Sequence, residues 1–290
     1  MTYATAKDGT KLYYEETGSG LPVVFVHEYA GDYRSWETQV RFLSRNYRCI
    51  AMNARGYPPS DVPKDDASYS QDTAREDVIA VIDAAGGGRA HVVGLSMGAY
   101  TTLHVGLVHP GRCLSLTVAG CGWGSNPETR AENVKLAEGI AKMFREEGIE
   151  SAGAKYADFA MRQQFKHKDP RGWSEFEGWL KEHSAEGHAN TMLGLQLTRP
   201  TLWDLKDRLT QLRVPTLVIV GDEDEACLDG SVLLKRTIPT AGLLVMPRAG
   251  HTINSEEPAA FNVALADFFM AVEHRRWMTH RTPQFDPPHG

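Results

Sequence analysis

A serine between small residues lies in the first half of the chain. Residues 94–98 read Gly-Leu-Ser-Met-Gly and match the pattern G-x-S-x-G around Ser96. This spacing suits a sharp turn from a strand to a helix, which strains the serine backbone and lifts the hydroxyl above a sheet. The alternative is a serine that caps a helix between two glycines. An apolar run that ends at Leu95 and a helical pattern that begins at Met97 favour the sharp turn.

A serine hydroxyl needs a base to take its proton before it becomes a good nucleophile. Among the 11 histidines, His251 differs in its context. It follows Gly250, comes just after the apolar run 243–246, and precedes a closing amphipathic segment, 256–272. A loop histidine behind a strand would face the same sheet edge as Ser96, so the sequence predicts that His251 is the base.

The base in turn needs a carboxylate that fixes its tautomer and stabilises the imidazolium. Residues 221–225 read Gly-Asp-Glu-Asp-Glu and follow the buried-strand pattern of residues 215–220. The run offers four carboxylates. Charge runs in loops are usually solvated, and the residues themselves do not select one of the four.

Short apolar runs alternate with helical patterns in the parts of the chain that carry these residues. This order predicts an α/β fold, with a mostly parallel central sheet flanked by helices. The helical patterns of the first part cover 36–45, 71–85 and 97–108, and a later one covers 231–237. We predict strands, the first of them at a sheet edge, over 11–16, 22–27, 47–53, 90–95, 114–119, 215–220 and 243–246.

A stretch rich in charge interrupts the alternation and shows helical periodicity without a convincing strand. We therefore predict a helical cap inserted into the core domain. The predicted organisation is a first core segment, the cap, a second core segment and a C-terminal tail, at 1–123, 124–212, 213–273 and 274–290. The tail carries a short basic cluster and a proline-rich end, which favours a solvated, partly disordered segment over a binding patch.

Composition narrows the class of protein. The 290 residues include 42% hydrophobic and 23% charged residues, with a net charge of −6 and no basic stripe for nucleic acid. No apolar window is long enough for a membrane span, and the N-terminus lacks the pattern of a signal peptide, so we expect a cytoplasmic protein. The four cysteines lack CxxC spacing and are expected to be reduced thiols.

Further residues connect these motifs into a known order. The chain resembles the bacterial α/β-hydrolase fold family, in particular serine hydrolases of the esterase, enol-lactonase and perhydrolase-like group, and the match runs nearly end to end. The acid of that family lies three residues after a glycine at a strand end, which selects Asp224 and leaves Asp222 as the reserve. The other matching features are His27 with Trp36, Arg55-Gly56 with Ser60, the Ser96 turn, and Gly250-His251 before Glu256 and Pro258.

The resemblance implies a Ser96–His251–Asp224 triad and an acyl-enzyme intermediate. It also implies an oxyanion hole formed by the backbone N–H groups of Tyr29 and Met97. We expect no metal and no organic cofactor. The expected partner is a small-molecule substrate, and we expect binding to neither nucleic acid nor a membrane. The sequence allows a homo-oligomer.

A carboxylic ester or lactone is the favoured substrate. The alternatives on the same triad are amide and C–C bond hydrolysis, and the fold also serves lyases and cofactor-free oxygenases. The alternative outside enzymes is a small-molecule receptor that keeps the fold, since fold does not fix function.

The chain departs from the family pattern beside the expected oxyanion hole. Glu28 stands where the family usually has glycine, and residues 57–59 read Tyr-Pro-Pro where Gly-x-Gly is frequent. One hypothesis places the Glu28 carboxylate beside the active site, where it would favour a polar or cationic group. The other turns Glu28 away to pair with a basic residue such as Arg55.

Three tryptophans are candidates for the lining of the substrate pocket, although tryptophans in a cap are at least as often part of its core. They are Trp123, Trp173 and Trp179.

Overall fold

The computed structural model describes residues 1–277, and eight strands form one sheet in its centre. The sheet order is β1-β2-β4-β3-β5-β6-β7-β8, with antiparallel pairing of β1 to β2 and of β2 to β4 and parallel pairing elsewhere. The strands are β1 Thr2–Thr5, β2 Lys11–Thr17, β3 Pro22–Val26, β4 Arg48–Met52, β5 Ala90–Leu95, β6 Cys113–Ala119, β7 Thr216–Gly221 and β8 Ala241–Met246. This α/β architecture confirms the predicted fold class.

Alternate residues of the strands build two separate cores, because successive side chains point to opposite faces of a sheet. In β3, Val24 and Val26 pack with α2 (Gln71–Ala84) and α3 (Met97–Val108). Val23 and Phe25 belong to the other core, with α1 (Glu37–Leu43) and α11 (Pro258–Glu273). Burial on both faces explains why the parallel strands read as unbroken apolar runs.

The register of the parallel strands brings their carboxyl ends together. Val26 of β3 lies opposite Gly94, and Leu95 at the end of β5 lies opposite Ala119. Ala119 in turn lies opposite Ile219 of β7. The loops that follow β3, β5, β6 and β7 therefore leave the sheet at one edge.

Helices fill the segment between β6 and β7. The described residues of this segment contain no strand, and we refer to the segment as the cap. A third core lies beneath the cap and includes Tyr29, Tyr57 and Met97 from the sheet side. The helices are α4 Arg130–Ala157, α5 Gln163–Lys168, α6 Pro170–Lys181, α7 Ala185–Asn190 and α8 Lys206–Leu209, with a π-helix at Thr191–Gln196; α4 is broken at Gly148.

Besides the unpredicted β1 and shifts of one or two residues at the ends of several elements, the structure differs from the sequence prediction in the following places. Lys11–Thr17 is not an edge strand, because the shorter β1 pairs with its outer side. The helix predicted at 231–237 begins earlier, as α9 Glu225–Thr237. The closing segment divides into α10 (Ile253–Glu256) and α11, which begins at Pro258.

The C-terminal tail is described only as far as Trp277. The Trp277 indole packs on Phe268 at 4.5 Å between ring centroids and donates a hydrogen bond to the Thr240 carbonyl at 2.7 Å. The start of the predicted tail is therefore attached to the core, and residues 278–290 lie outside the described residues. Between residues 1 and 277, none of the helices is both long and apolar enough to cross a bilayer.

Candidate active site

Ser96 occupies the sharp turn between β5 and α3. Its backbone has φ 54° and ψ −110°, a conformation that non-glycine residues rarely adopt. The flanking glycines permit the turn, because a Cβ on Gly94 would lie 2.2 Å from the Gly98 carbonyl oxygen, and one on Gly98 would lie 2.0 Å from that of Val26. The Ser96 N–H donates to the Ala119 carbonyl at 2.8 Å, which ties the turn to β6.

His251 pairs with one member of the acidic run after β7. The Nδ1 atom of His251 lies 2.8 Å from Oδ2 of Asp224, and both side chains are buried. Asp222, the reserve candidate, is exposed and accepts a bond from the Ala249 N–H. Of the four carboxylates, Asp224 is therefore the one in contact with the histidine.

The ends of β5, β6 and β7 converge around Gly120. A Cβ placed on Gly120 would lie 3.3 Å from Leu95, 3.4 Å from the Asp224 carboxylate and 3.5 Å from Cε1 of His251. Leu95, Asp224 and His251 therefore all lie next to Gly120.

The electrostatics of His251 suit a base. Burial alone would lower the pKa of His251, but the Asp224 carboxylate outweighs it, so the pKa lies above its ordinary value. Nε2 of His251 is buried and has no hydrogen-bond partner among the described residues. The ring nitrogen opposite Asp224 is therefore free to take a proton from a bound reactant or from the serine.

The two N–H groups expected to form the oxyanion hole are free of acceptors. Neither Tyr29 nor Met97 donates its backbone N–H to a group in residues 1–277. Other bonds hold the Tyr29 segment in place: its carbonyl accepts from the Tyr57 hydroxyl at 2.7 Å, and its own hydroxyl donates to the His188 carbonyl at 2.9 Å.

Glu28 is buried and bound by an arginine of the cap. Its two carboxylate oxygens each accept a 2.5 Å hydrogen bond from Arg162, whose side chain is 0% exposed. Burial would raise the pKa of Glu28, but the charge of Arg162 outweighs it and lowers the pKa. The carboxylate is thus both near the site and paired, and Arg55, the partner suggested by sequence, binds Asp77 and Asp8 instead.

Asp32 gives the same loop a further attachment to the cap, besides those of Glu28 and Tyr29. Oδ2 of Asp32 lies 3.1 Å from Nε2 of His183 and 2.6 Å from Nη2 of Arg34. Nδ1 of His183 continues to Nε2 of His188 at 3.1 Å. The loop after β3 is therefore bonded to the cap at both Glu28 and Asp32.

A small cavity of about 50 Å³ lies against Ser96. Trp123 lines it, but Trp173 and Trp179 do not: the Trp173 indole donates to the Ala157 carbonyl, and Trp179 stacks on Arg34. The sequence prediction missed most of the wall, which consists of cap side chains without a motif. The lining residues are Tyr29, Ser96, Trp123, Leu136, Ile140, Tyr156, Phe159, Met161, Met192 and Gln196.

The described residues offer one group of metal-ligand atoms, and it belongs to the same site. Asp224, Cys227 and His251 bring a carboxylate, a thiol and an imidazole nitrogen within 4.8 Å of one another. Burial raises the pKa of the Cys227 thiol well above its ordinary value, whereas a metal needs the thiolate. The other two candidate ligands, Asp224 and His251, are already hydrogen-bonded to each other. We therefore assign no metal to this group.

Comparison with known proteins gives the family. The profile described as alpha/beta hydrolase fold matches residues 22–258. The chain belongs to the α/β-hydrolase fold family, and its general class is that of a hydrolase.

Individual relatives are similar over nearly their whole length. The 3-oxoadipate enol-lactonase 1 of Acinetobacter baylyi is 27% identical, over 87% of this chain and 89% of the relative. The 2-hydroxy-6-oxo-6-phenylhexa-2,4-dienoate hydrolase of Burkholderia cepacia is 27% identical, over 89% and 91%. A solved thermophilic esterase from Thermogutta terrifontis is 26% identical, covers 93% of this chain and 98% of its own, and superposes with a TM-score of 0.81.

Proposed function

We propose that this protein is a serine hydrolase that cleaves small carboxylic esters or lactones through Ser96, His251 and Asp224. The observation that carries the proposal is the buried His251–Asp224 bond, with Nε2 of His251 left without a partner among the described residues, together with the strained serine at the same edge of the sheet. The order Ser, Asp, His along the chain is the one used by this fold.

The reaction would proceed in two steps. Ser96 Oγ attacks the substrate carbonyl carbon while His251 Nε2 takes its proton, and the N–H groups of Tyr29 and Met97 bind the oxyanion. The tetrahedral intermediate then collapses, and His251 gives the proton to the leaving oxygen. Water repeats the sequence on the acyl-enzyme and releases the acid.

The cavity supports a small, apolar acyl group. Its walls are mainly aliphatic and aromatic, with the Gln196 amide and two tyrosines as polar members. Relatives named as an esterase and an enol-lactonase agree with an ester or lactone. The relative named as a dienoate hydrolase keeps C–C bond cleavage as the second candidate.

The test is hydrolysis of p-nitrophenyl acetate and butyrate by the wild type and by Ser96→Ala. We expect kcat to fall by about 10³-fold or more in the variant, because the remaining groups of a triad do not act without the nucleophile. Ser151→Ala is the matched control, because Ser151 is an exposed cap residue that bonds Glu147. Equal activity of Ser96→Ala and wild type would refute the proposal.

An inactive wild type would be examined further by covalent labelling with a fluorophosphonate. Labelling that depends on Ser96 would support a serine hydrolase. Lactones, amides and substrates with a cleavable C–C bond would then be assayed. The absence of labelling, together with tight binding of a small molecule, would favour a receptor.

A further inference from the structure

Arg162 is a charged residue of the cap that lies completely within the protein. Its guanidinium donates to both oxygens of Glu28 and lies over the rings of Phe176 and Tyr156, at 5.0 and 5.8 Å from their centroids. Two of its neighbours, Tyr156 and Met161, line the cavity at Ser96. The ion pair therefore connects the wall of the cavity to the loop after β3.

Glu28 directly precedes the proposed oxyanion donor. The peptide bond between Glu28 and Tyr29 carries the N–H assigned to the oxyanion hole. The carbonyl of Glu28 accepts from the Gly31 N–H at 3.1 Å and lies 2.6 Å from Nδ1 of His27. With the side chain bound by Arg162 and the carbonyl bound within the loop, little freedom remains for this peptide to rotate.

Stability alone is a poor reason for such a pair. The desolvation of two buried charges roughly cancels their attraction, and apolar residues of similar volume often serve the fold as well or better. A bidentate arginine–carboxylate pair fixes the orientation of the two side chains. An oxyanion hole requires a fixed orientation of its N–H donors, because they act only when they point at the developing charge.

We propose that Arg162 is a positioning residue for the oxyanion hole: acting through Glu28, it holds the Tyr29 N–H in the orientation that catalysis needs. This inference rests on the proposed serine hydrolase function. It also assigns part of the catalytic machinery to the cap, which otherwise supplies the walls of the cavity.

The pair also lies in the electrostatic environment of the base. The groups that face His251 are the Asp224 carboxylate, the Cys227 thiol, Glu28 and Arg162. The Glu28 charge raises the pKa of His251 and the Arg162 charge lowers it. In the intact pair, these two opposite effects on the pKa of His251 partly cancel. Removal of the carboxylate alone would leave an uncompensated cation near His251.

The experiment compares Arg162→Lys, Glu28→Gln and the double variant Glu28→Gln/Arg162→Met in kcat, KM and the pH profile of kcat/KM on p-nitrophenyl butyrate. In Arg162→Lys the charge remains but the bidentate geometry is lost. We expect kcat to fall by about 10-fold or more with KM within about 2-fold, a part of the ~10²–10³-fold that loss of one oxyanion donor costs. The acidic limb of the profile should not move.

The two Glu28 variants separate charge from position. In Glu28→Gln, we expect the acidic limb to move to lower pH, because the remaining cation disfavours protonated His251. In the double variant the cation is gone, so the limb should return toward that of the wild type, while kcat stays low because the side chain of residue 28 has lost its anchor. The limb therefore reports charge and kcat reports position: a purely structural pair would leave kcat of the folded variants close to that of the wild type, even where the limb moves.

Arg145→Lys is the matched control, because Arg145 is a cap arginine whose partners, Glu186 and Asn190, also belong to the cap. Thermal unfolding verifies that each variant is folded. If Glu28→Gln does not fold, Arg162→Lys and the double variant still decide, since both are expected to lower kcat.

The inference is overturned if these variants keep kcat within about 2-fold of the wild type, whether or not the acidic limb moves. Its failure is distinct from failure of the proposed function. If activity is lost in Ser96→Ala but is unchanged in the Arg162 variants, only the positioning role of Arg162 is refuted. If activity is unchanged in Ser96→Ala, the proposed function and the inference are both refuted.

Discussion

The carboxylate of Glu256 binds the backbone on both sides of His251. One oxygen accepts the Gly250 N–H at 2.6 Å, and the other accepts the N–H and the hydroxyl of Thr252, each at 3.0 Å. None of these hydrogen bonds goes to the imidazole ring itself. Glu256 fixes the backbone at the residue before and the residue after the histidine, and so limits where the ring can lie.

Glu256→Ala should therefore lower both stability and activity. We expect the free energy of unfolding to fall by about 2–4 kcal/mol, because each buried N–H left without an acceptor costs about 1–3 kcal/mol. Urea unfolding measures this change. Glu257→Ala is the control, since Glu257 is partly exposed, pairs with Lys168, and should cost less than about 1 kcal/mol. Equal losses in the two variants would contradict this role of Glu256.

The pH dependence of kcat/KM should report His251. The base acts when neutral, so activity should be lost as the pH falls through its pKa, and Asp224 places that pKa above the ordinary 6.5. In Asp224→Asn the burial remains but the carboxylate is gone, so the acidic limb should move to lower pH. The same variant should lose about 10³–10⁴-fold in kcat. Asp222→Asn should change neither quantity, and a matching loss there would reassign the acid.

Gly98, two residues after Ser96, should not tolerate a side chain. A Cβ on Gly98 would lie 2.0 Å from the Val26 carbonyl oxygen and 2.7 Å from that of His27. We expect Gly98→Ala to destabilise the fold by about 3 kcal/mol or more, at the upper end of overpacking. Gly139, within α4, has no neighbour within 4 Å of such a Cβ, so Gly139→Ala should instead stabilise by about 0.5–1 kcal/mol. Thermal melts compare the two; a tolerated Gly98→Ala would show that the turn can open.

Trp123 should control the size of the acyl group. Because it lines the cavity, Trp123→Ala should raise the ratio of kcat/KM for p-nitrophenyl hexanoate over acetate by roughly 10-fold, within the range that one to two methylenes provide. Trp173→Ala removes a cap tryptophan outside the cavity and should leave the ratio unchanged. If both variants changed the ratio alike, general loosening of the cap would be the explanation.

Local patterns were sufficient to predict the elements that hold the residues of the proposed triad. The strands before Ser96 and Asp224 are buried on both faces and read as apolar runs, so their ends could be placed to within a residue or two. Strand β1 escaped the prediction because it has four residues, of which Ala4 alone is buried. Too little periodicity exists in so short a segment to distinguish a strand from a turn.

The environment of Glu28 could not be predicted in the same way. Its partner lies 134 residues further along the chain, in a short 3₁₀ turn of the cap (Ala160–Arg162) without a motif. The sequence shows that glutamate replaces glycine at this position, but the choice of a partner depends on how the cap packs. The same holds for the cavity wall, where Met192 and Gln196 are brought to one side by a π-helix that no residue pattern indicated.

The two bonds from Glu28 and Asp32 to the cap bear on how this protein could diversify. In a protein whose cap only covers the pocket, an exchanged cap would alter selectivity and leave the reaction intact. Here an inherited cap and its loop form a matched set, since a foreign cap would leave two buried carboxylates without Arg162 and His183. New specificities should thus arise by substitution within the cap, or by recombination that carries residues 28–32 along with it.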